Sequence, residues 1–214
     1  METVVYLIRH SVRFNNKNLI EKYNTNQNEL IKYEKRAEIL SNEKELQNID
    51  VVYTSNCVRT LQTAKYLLEK QNLKVNIDER FDERRPGKPN SDKVPDWYER
   101  QFFDENYKTE GGESQAEVRQ RMSEAFEEVV KDNKGKRIAI FSHGNAITFF
   151  LLKWCKLESV NINRNLCLSF NNKIVFNKRI NSPDVFKITL NDKNEVIDIE
   201  NIEFEDLDFD DFNK

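Results

Sequence analysis

Histidine is the scarcest informative residue in this 214-residue chain, with two copies, His10 and His143. Glycine is nearly as sparse at 5, against an average usage of roughly 7% of a chain. Three cysteines, Cys57, Cys155 and Cys167, are odd in number and form no Cys-x-x-Cys pair, which excludes a disulfide framework and a zinc knuckle and leaves them as expected small core residues. No charge sign dominates. The 34 Lys and Arg against 37 Asp and Glu leave a net charge of −3, so no global basic field draws the chain to nucleic acid or an anionic membrane, and any anion site must be a local cluster. Neither a basic stripe nor interleaved aromatic residues mark a nucleic-acid module. Long apolar runs are also missing: residues 146–152 fall far short of the roughly 20 needed to span a bilayer. Residues 1–8 have no basic segment ahead of a short apolar stretch, so no signal peptide is expected and the expected location is cytoplasmic.

What is present suffices for a core. Hydrophobic residues make up 38% of the chain, including 14 Phe and 7 Tyr, which excludes wholesale disorder, while 33% charged residues imply a heavily solvated surface. The length fits one domain, expected over residues 1–202, followed by an acidic tail at 203–214. No internal repeat is visible.

Residues 4–8 and 51–54 are short β-rich runs that read as buried strands. After the second, Cys57, Leu61, Ala64, Leu67 and Leu68 recur at helical spacing, with Ser55 or Asn56 as the expected N-cap. Residues 30–46 carry one apolar stripe and predict surface helix covering the sheet. Residues 75–77 form a weaker strand candidate. A charged, proline-containing stretch follows, and its part at about 84–110 reads as an insertion or lid. Ser114 and Glu117 have the spacing of a capping box, which starts a helix. Residues 137–141 then read as a buried strand delivering Ser142-His143-Gly144-Asn145, with an apolar helix expected over 146–154. Alternating strands and helices predict an α/β fold, a mostly parallel sheet with helices on both faces. Beyond residue 165 the strand-like runs predict antiparallel extensions at one edge of that sheet.

Parallel sheets bind ligands beyond the carboxyl ends of their strands, and both histidines are expected there. Arg9 precedes His10, Arg13 follows it by three residues, and Arg59 lies one turn into the helix after the second strand. Guanidinium forks suit phosphate oxygens. Leu7-Ile8-Arg9-His10, residues 53–64, Asp82-Glu83-Arg84, Gly111-Gly112-Glu113-Ser114 and Phe141-Ser142-His143-Gly144-Asn145, in that order, resemble the histidine phosphatase (phosphoglycerate mutase-like) superfamily. The resemblance covers residues 4 to about 154. It implies His10 as nucleophile, Arg9, Arg59 and His143 as the phosphate pocket, and Glu83 as proton donor to the leaving group. Arg13 and Asn145 are further phosphate-binding candidates, and Ser55 a contributor of a phosphate or loop hydrogen bond. Glu79 and Asp82 compete with Glu83 on composition alone. The adjacent Arg84 and Arg85 are expected to lower the Glu83 pKa and a bound phosphate to raise it, for an acidic to neutral optimum.

The implied reaction is metal-independent hydrolysis of a small phosphomonoester through a phosphohistidine, with no cofactor, in an enzyme of the histidine acid phosphatase type. Two features depart from the family pattern. Ser11 stands where glycine usually follows the nucleophile. Arg13 is similar to the acid phosphatase and phytase branch, whereas residues 142–145 are similar to the mutase branch. The mutase-type Gly-Glu-Ser/Thr after the histidine is missing, which favours a phosphatase. The alternatives are a phosphoglycerate mutase-like phosphotransferase and a catalytically silent binder of phosphorylated ligands. Substrate identity and oligomeric state stay open.

Overall fold

The computed structural model describes residues 1–11, 27–88 and 97–204, with backbone alone at 27–33. Strands β1 (Thr3–Arg9), β2 (Val51–Thr54), β3 (Val75–Ile77) and β4 (Arg137–Ser142) pair in parallel in the order β3-β2-β4-β1. β8 (Asp184–Leu190) adds antiparallel to the free edge of β1, and β9 (Val196–Ile202) adds to β8. The result is the expected six-stranded, mostly parallel sheet with an antiparallel edge.

Alternation along the central strands divides the core in two, because successive side chains of a strand leave opposite faces. Val5, Leu7, Ile138 and Ile140 point to one face, where they meet α4 (Gln115–Asp132) and α5 (Gly144–Leu151). Tyr6, Ile8, Ala139 and Phe141 point to the other, against α1 (Gln27–Asn42) and α2 (Val58–Gln71). Both faces are thereby covered. On the first, Phe126, Phe150 and Trp154 pack with ring centroids 5.0–5.6 Å apart, an arrangement contributing about 0.5–1.5 kcal/mol per pair beyond burial.

Local signals explain most boundaries. Ser114 and Glu117 form the full capping box at the start of α4. The expected cap of α2 is corrected: Cys57 occupies the N-cap position, without a side-chain cap bond, while Ser55 turns its hydroxyl elsewhere. α5 begins at Gly144 and ends at Leu151, rather than spanning 146–154. Of the cysteines, Cys155 is buried, but Cys57 and Cys167 are only partly so. A larger correction concerns the C-terminal strands. β6 (Asn165–Phe170) and β7 (Lys173–Arg179) do not extend the main sheet; with β5 (Lys156–Val160), which sequence patterning missed, they form a separate three-stranded antiparallel sheet. Leu166, Leu168 and Phe176 anchor it on the α4–α5 face, and the Phe176 ring lies 5.2 Å from that of Phe186 on β8.

The scarcity of glycine has a structural counterpart. Of the six non-glycine residues with positive φ among the described residues, five are asparagines, the residue best able to replace glycine there, and the sixth is Arg164 at φ 64°.

Residues 85–88 and 109–113 lie against each other in a narrow neck. Glu113 N–H donates to Arg85 O at 2.9 Å, Lys88 N–H to Glu110 O at 3.1 Å, and Thr109 Oγ1 to Pro86 O at 2.5 Å. Gly87, at φ 69°, sits inside this neck, where a Cβ would lie 2.5–2.6 Å from residues 109, 110 and 112. Beyond it, α3 (Trp97–Phe103) sends Phe102 into the core against Phe149 and leaves Phe103 exposed. Among the described residues no helix is long and apolar enough to cross a membrane.

Candidate active site

Hydrogen bonding between neighbouring segments continues past the strand ends and sets the site's register. His10 N–H donates to Ser142 O and Ser55 N–H to Phe141 O, both at 3.0 Å. The residues leaving β1, β2 and β4 therefore stand side by side. The two imidazoles, His10 and His143, are buried with ring centroids 5.1 Å apart and planes inclined at 62°.

Arg59 joins them. Its Nε lies 3.1 Å from His10 Nε2 and 3.1 Å from His143 Nδ1, and its Nη2 lies 2.8 Å from His143 Nδ1. A guanidinium can only donate, so both ring nitrogens facing it are acceptors. His10 Nδ1 carries the proton on that ring and donates to Ser11 O, which leaves the Nε2 lone pair directed into the site. His143 Nε2 correspondingly donates to Ser55 Oγ at 2.8 Å, and the Ser55 hydroxyl lies 2.9 Å from Thr60 Oγ1. Thr60 in turn donates to Cys57 O at 2.6 Å, which fixes the direction of the chain. Burial and then the Arg59 charge push the His143 pKa down to about 2, so this imidazole is neutral in the phosphate-free site.

Ser11 is accommodated without strain. It is absent from the positive-φ positions, its N–H donates to Thr63 Oγ1 at 2.9 Å, and its carbonyl orients His10. The left-handed backbone that would demand glycine is not used.

Glu83 follows a 3-10 turn, Glu79–Phe81, and is held by its own neighbours: Oε1 accepts from Arg84 N–H at 2.9 Å and from Ala146 N–H at 3.1 Å. Burial raises its carboxyl above the usual range, against these two bonds and the charges of Arg9 and Arg59. The expected downward pull of Arg84 is present, through its N–H and its charge, but burial outweighs it; Arg85 lies in the open, and Arg9 and Arg59 add to the pull, while the Arg84 guanidinium donates to Glu113 O and stacks on Trp97. Asp82 accepts from Asn56 N–H at 2.8 Å and Glu79 is exposed, so neither lines the cavity that holds His10.

That cavity measures about 370 Å³ and is lined by Arg9, His10, Arg59, Glu83 and Asn145 among others. Arg9 Nη1 donates to Ile180 O at 2.5 Å and Asn181 O at 3.1 Å; its Nε is buried with no hydrogen-bond partner. Gly144 gives Arg9 its room, since a Cβ there would lie 3.2 Å from that Nε. Five of the expected residues thus meet in one cavity and His143 joins them through Arg59. Arg13 lies outside the described residues.

Sequence reasoning missed a clamp behind Glu83. Glu113 is buried and accepts from Arg121 Nε at 2.9 Å and Nη2 at 3.1 Å, and from Arg85 N–H at 2.9 Å. Arg121 Nη1 also donates to Arg80 O and Asp82 O, holding the turn that leads to Glu83. The Gly-Gly-Glu-Ser motif flagged Glu113, but nothing in the sequence paired it with Arg121.

Among the described residues, Cys57, Asp82 and His143 bring possible metal-ligand atoms within 4.8 Å of one another. Both His143 nitrogens are already committed, to Arg59 and Ser55, so these donors suit the hydrogen-bond network better than an ion.

A profile of the histidine phosphatase superfamily (branch 1) matches residues 5–173, and the chain belongs to that family. The branch left mixed by the motifs is thereby settled. Phosphoserine phosphatase 1 of Hydrogenobacter thermophilus is 32% identical over 118 residues, 51% of this chain and 56% of that protein; the match spans little more than half of that relative's length. Among solved structures, mycobacterial hydrolase 1 superposes with a TM-score of 0.65 at 18% identity, covering 95% of this chain and 100% of that one. The mycobacterial glucosyl-3-phosphoglycerate phosphatase superposes at 0.60 and 17% identity, covering 94% and 97%. These likenesses establish the phosphoglycerate mutase-like fold.

Proposed function

We propose that this protein is a phosphomonoesterase that works through a phosphohistidine on His10. The observation that carries the reading is the Arg59 guanidinium bridging two buried imidazoles, with the Glu83 carboxyl on the same cavity. In the first step the His10 Nε2 lone pair attacks phosphorus, the bond to the leaving oxygen breaks, and protonated Glu83 gives that oxygen its proton. In the second, Glu83 takes a proton from water as the water oxygen attacks phosphorus, releasing phosphate and restoring the imidazole. Arg9, Arg59 and His143 stabilise the charge on the transferring oxygens, with Asn145 at the rim and Arg13 as a further phosphate ligand. No step is assigned to a metal.

Residues 1–202 act as one unit in this reading, with the 84–110 insertion as its lid. The names of phosphoserine phosphatase 1 and of the mycobacterial glucosyl-3-phosphoglycerate phosphatase support a small phosphorylated metabolite as substrate. The unstrained Ser11 supports competence over a silent binding role.

The test is hydrolysis of a phosphomonoester panel in the presence of a chelator, with rapid quench to trap acid-labile, alkali-stable phosphoprotein. The expected result is turnover with a trapped phosphohistidine, both lost in His10→Ala. Full activity in that variant, or loss on chelation, overturns the reading. Interconversion of phosphoglycerates faster than their hydrolysis makes it a mutase instead.

A further inference from the structure

The cavity around His10 holds more positive charge than one phosphate group uses. Its outer wall carries Arg164, in the turn between β5 and β6, and Arg179, the last residue of β7. Both are exposed, and neither has an ion-pair partner among the described residues. Among the described residues, four guanidiniums, those of Arg9, Arg59, Arg164 and Arg179, therefore share the cavity with one carboxyl, Glu83. A phosphomonoester dianion offsets two of them at most.

Arg164 is also held in place. It is the one residue other than asparagine and glycine with positive φ among the described residues, its N–H donates to Asn161 O at 2.9 Å, and its Cζ sits 5.3 Å from the centre of the Tyr98 ring. Tyr98 belongs to α3 of the insertion and lines the same cavity, so the insertion and the small sheet meet at this stack. Arg164 and Arg179 both act electrostatically on Tyr98, and Arg179 acts on Arg9, which puts the pair within reach of whatever is attached to a phosphate bound there.

We infer that Arg164 and Arg179 form a second anion subsite, so that the preferred substrates are compact phosphomonoesters whose leaving group carries a carboxylate or a further phosphate. The inference rests on the phosphatase reading and deepens it. A cavity of about 370 Å³ lies at the small end of ligand pockets, about 300–1,000 Å³, and favours a leaving group of a few carbons.

Two measurements on the full chain test it. Calorimetric binding compares ethylphosphonate with 3-phosphonopropionate and with ethylenebisphosphonate, and kinetics compares ethyl phosphate with phosphoserine. Wild type is expected to favour the ligands with a second anion, and Arg164→Asn and Arg179→Gln each to cut that preference about fivefold, the double variant about tenfold or more. Asparagine suits the left-handed backbone at 164, so the variant tests charge rather than folding. Equal affinity for all three phosphonates in wild type, or a preference intact in the double variant, overturns the subsite. A preference in binding without turnover of any phosphomonoester overturns the phosphatase reading and supports the subsite; no binding of any phosphonate overturns both. The carboxylate and bisphosphonate arms separate the two sources of the second anion.

Discussion

Arg59 Nε stands 3.1 Å from His10 Nε2 and 3.1 Å from His143 Nδ1, so one side chain sets the positions of both rings. Arg59→Ala is expected to lower kcat/KM on aryl phosphates by about 100- to 1,000-fold, the usual scale for removing a charge-stabilising donor. Arg59→Lys recovers little of this, because an ammonium has no planar fork to span two acceptors. Near wild-type kinetics for the lysine variant would contradict the bridging role.

Glu83 gives a pH signature. Its carboxyl is raised by burial, and in the proposed reaction the leaving group needs the protonated form, so kcat for an alkyl phosphate is expected to fall as pH rises through that raised value. Glu83→Gln flattens this limb and slows alkyl phosphates far more than p-nitrophenyl phosphate, whose leaving group needs no acid. In folding terms the raised group favours the native state at low pH and that contribution is lost as pH climbs from the ordinary carboxyl value to the raised one. Thermal melts should accordingly show Glu83→Gln more stable than wild type at pH 7.5 and level with it at pH 4. The opposite ordering would remove the argument.

His143 has the reverse sign. Its pKa is pushed down to about 2 in the fold from an ordinary value of 6.5, so its contribution to stability is present above pH 6.5 and drains as pH falls below it, by up to about 1.4 kcal/mol per pH unit. His143→Asn should show a shallower loss of stability between pH 6.5 and 4.5. Inorganic phosphate should make wild type shallower too, since a bound anion favours the imidazolium. Identical slopes in urea titrations of variant and wild type count against the buried neutral imidazole.

The Glu113–Arg121 pair is a stability test with a kinetic readout. Removing Arg121 strands the buried Glu113 carboxylate, so Arg121→Ala is expected to cost about 3–5 kcal/mol in urea denaturation, and Glu113→Ala, which leaves the partly exposed Arg121, less. Arg121 also holds the carbonyls of Arg80 and Asp82, so the same variants should lose kcat more than they raise KM, with the Glu83 pH limb displaced. A stability loss with an unmoved pH profile would leave the clamp structural only.

The parts of the site that sequence patterning exposes are those tied to regular elements. His10 and His143 end apolar runs that can only be buried strands, and the Ser114 box marks its helix through local hydrogen bonding. Ser55 reads as a cap candidate because a serine after a strand fits a helix start equally well, whereas its hydroxyl is shared between His143, beyond the neighbouring strand, and Thr60 in the first turn of α2. β5 stayed hidden because its exposed residues, Lys156, Glu158 and Ser159, blur the alternation that marks a half-buried strand. Arg164 and Arg179 gave no signal at all. A lone arginine in a polar hairpin becomes meaningful only when the hairpin folds back over a cavity assembled from segments as distant in the chain as Arg9, Arg59 and Asn145.

β1 is paired along both edges, with β4 on one side and β8 on the other. Backbone amides from Val4 to Ile8 alternate between the two ladders, so exchange of the whole run with deuterium requires both to part, which ties His10 to a portion of the molecule that opens late. Arg164, Arg179 and Tyr98 hang on peripheral segments instead, where substitutions can accumulate while the ground beneath His10 stays fixed. On the proposed reading, ligand preference and bond-breaking machinery are mounted on separate footings, free to diverge at different rates.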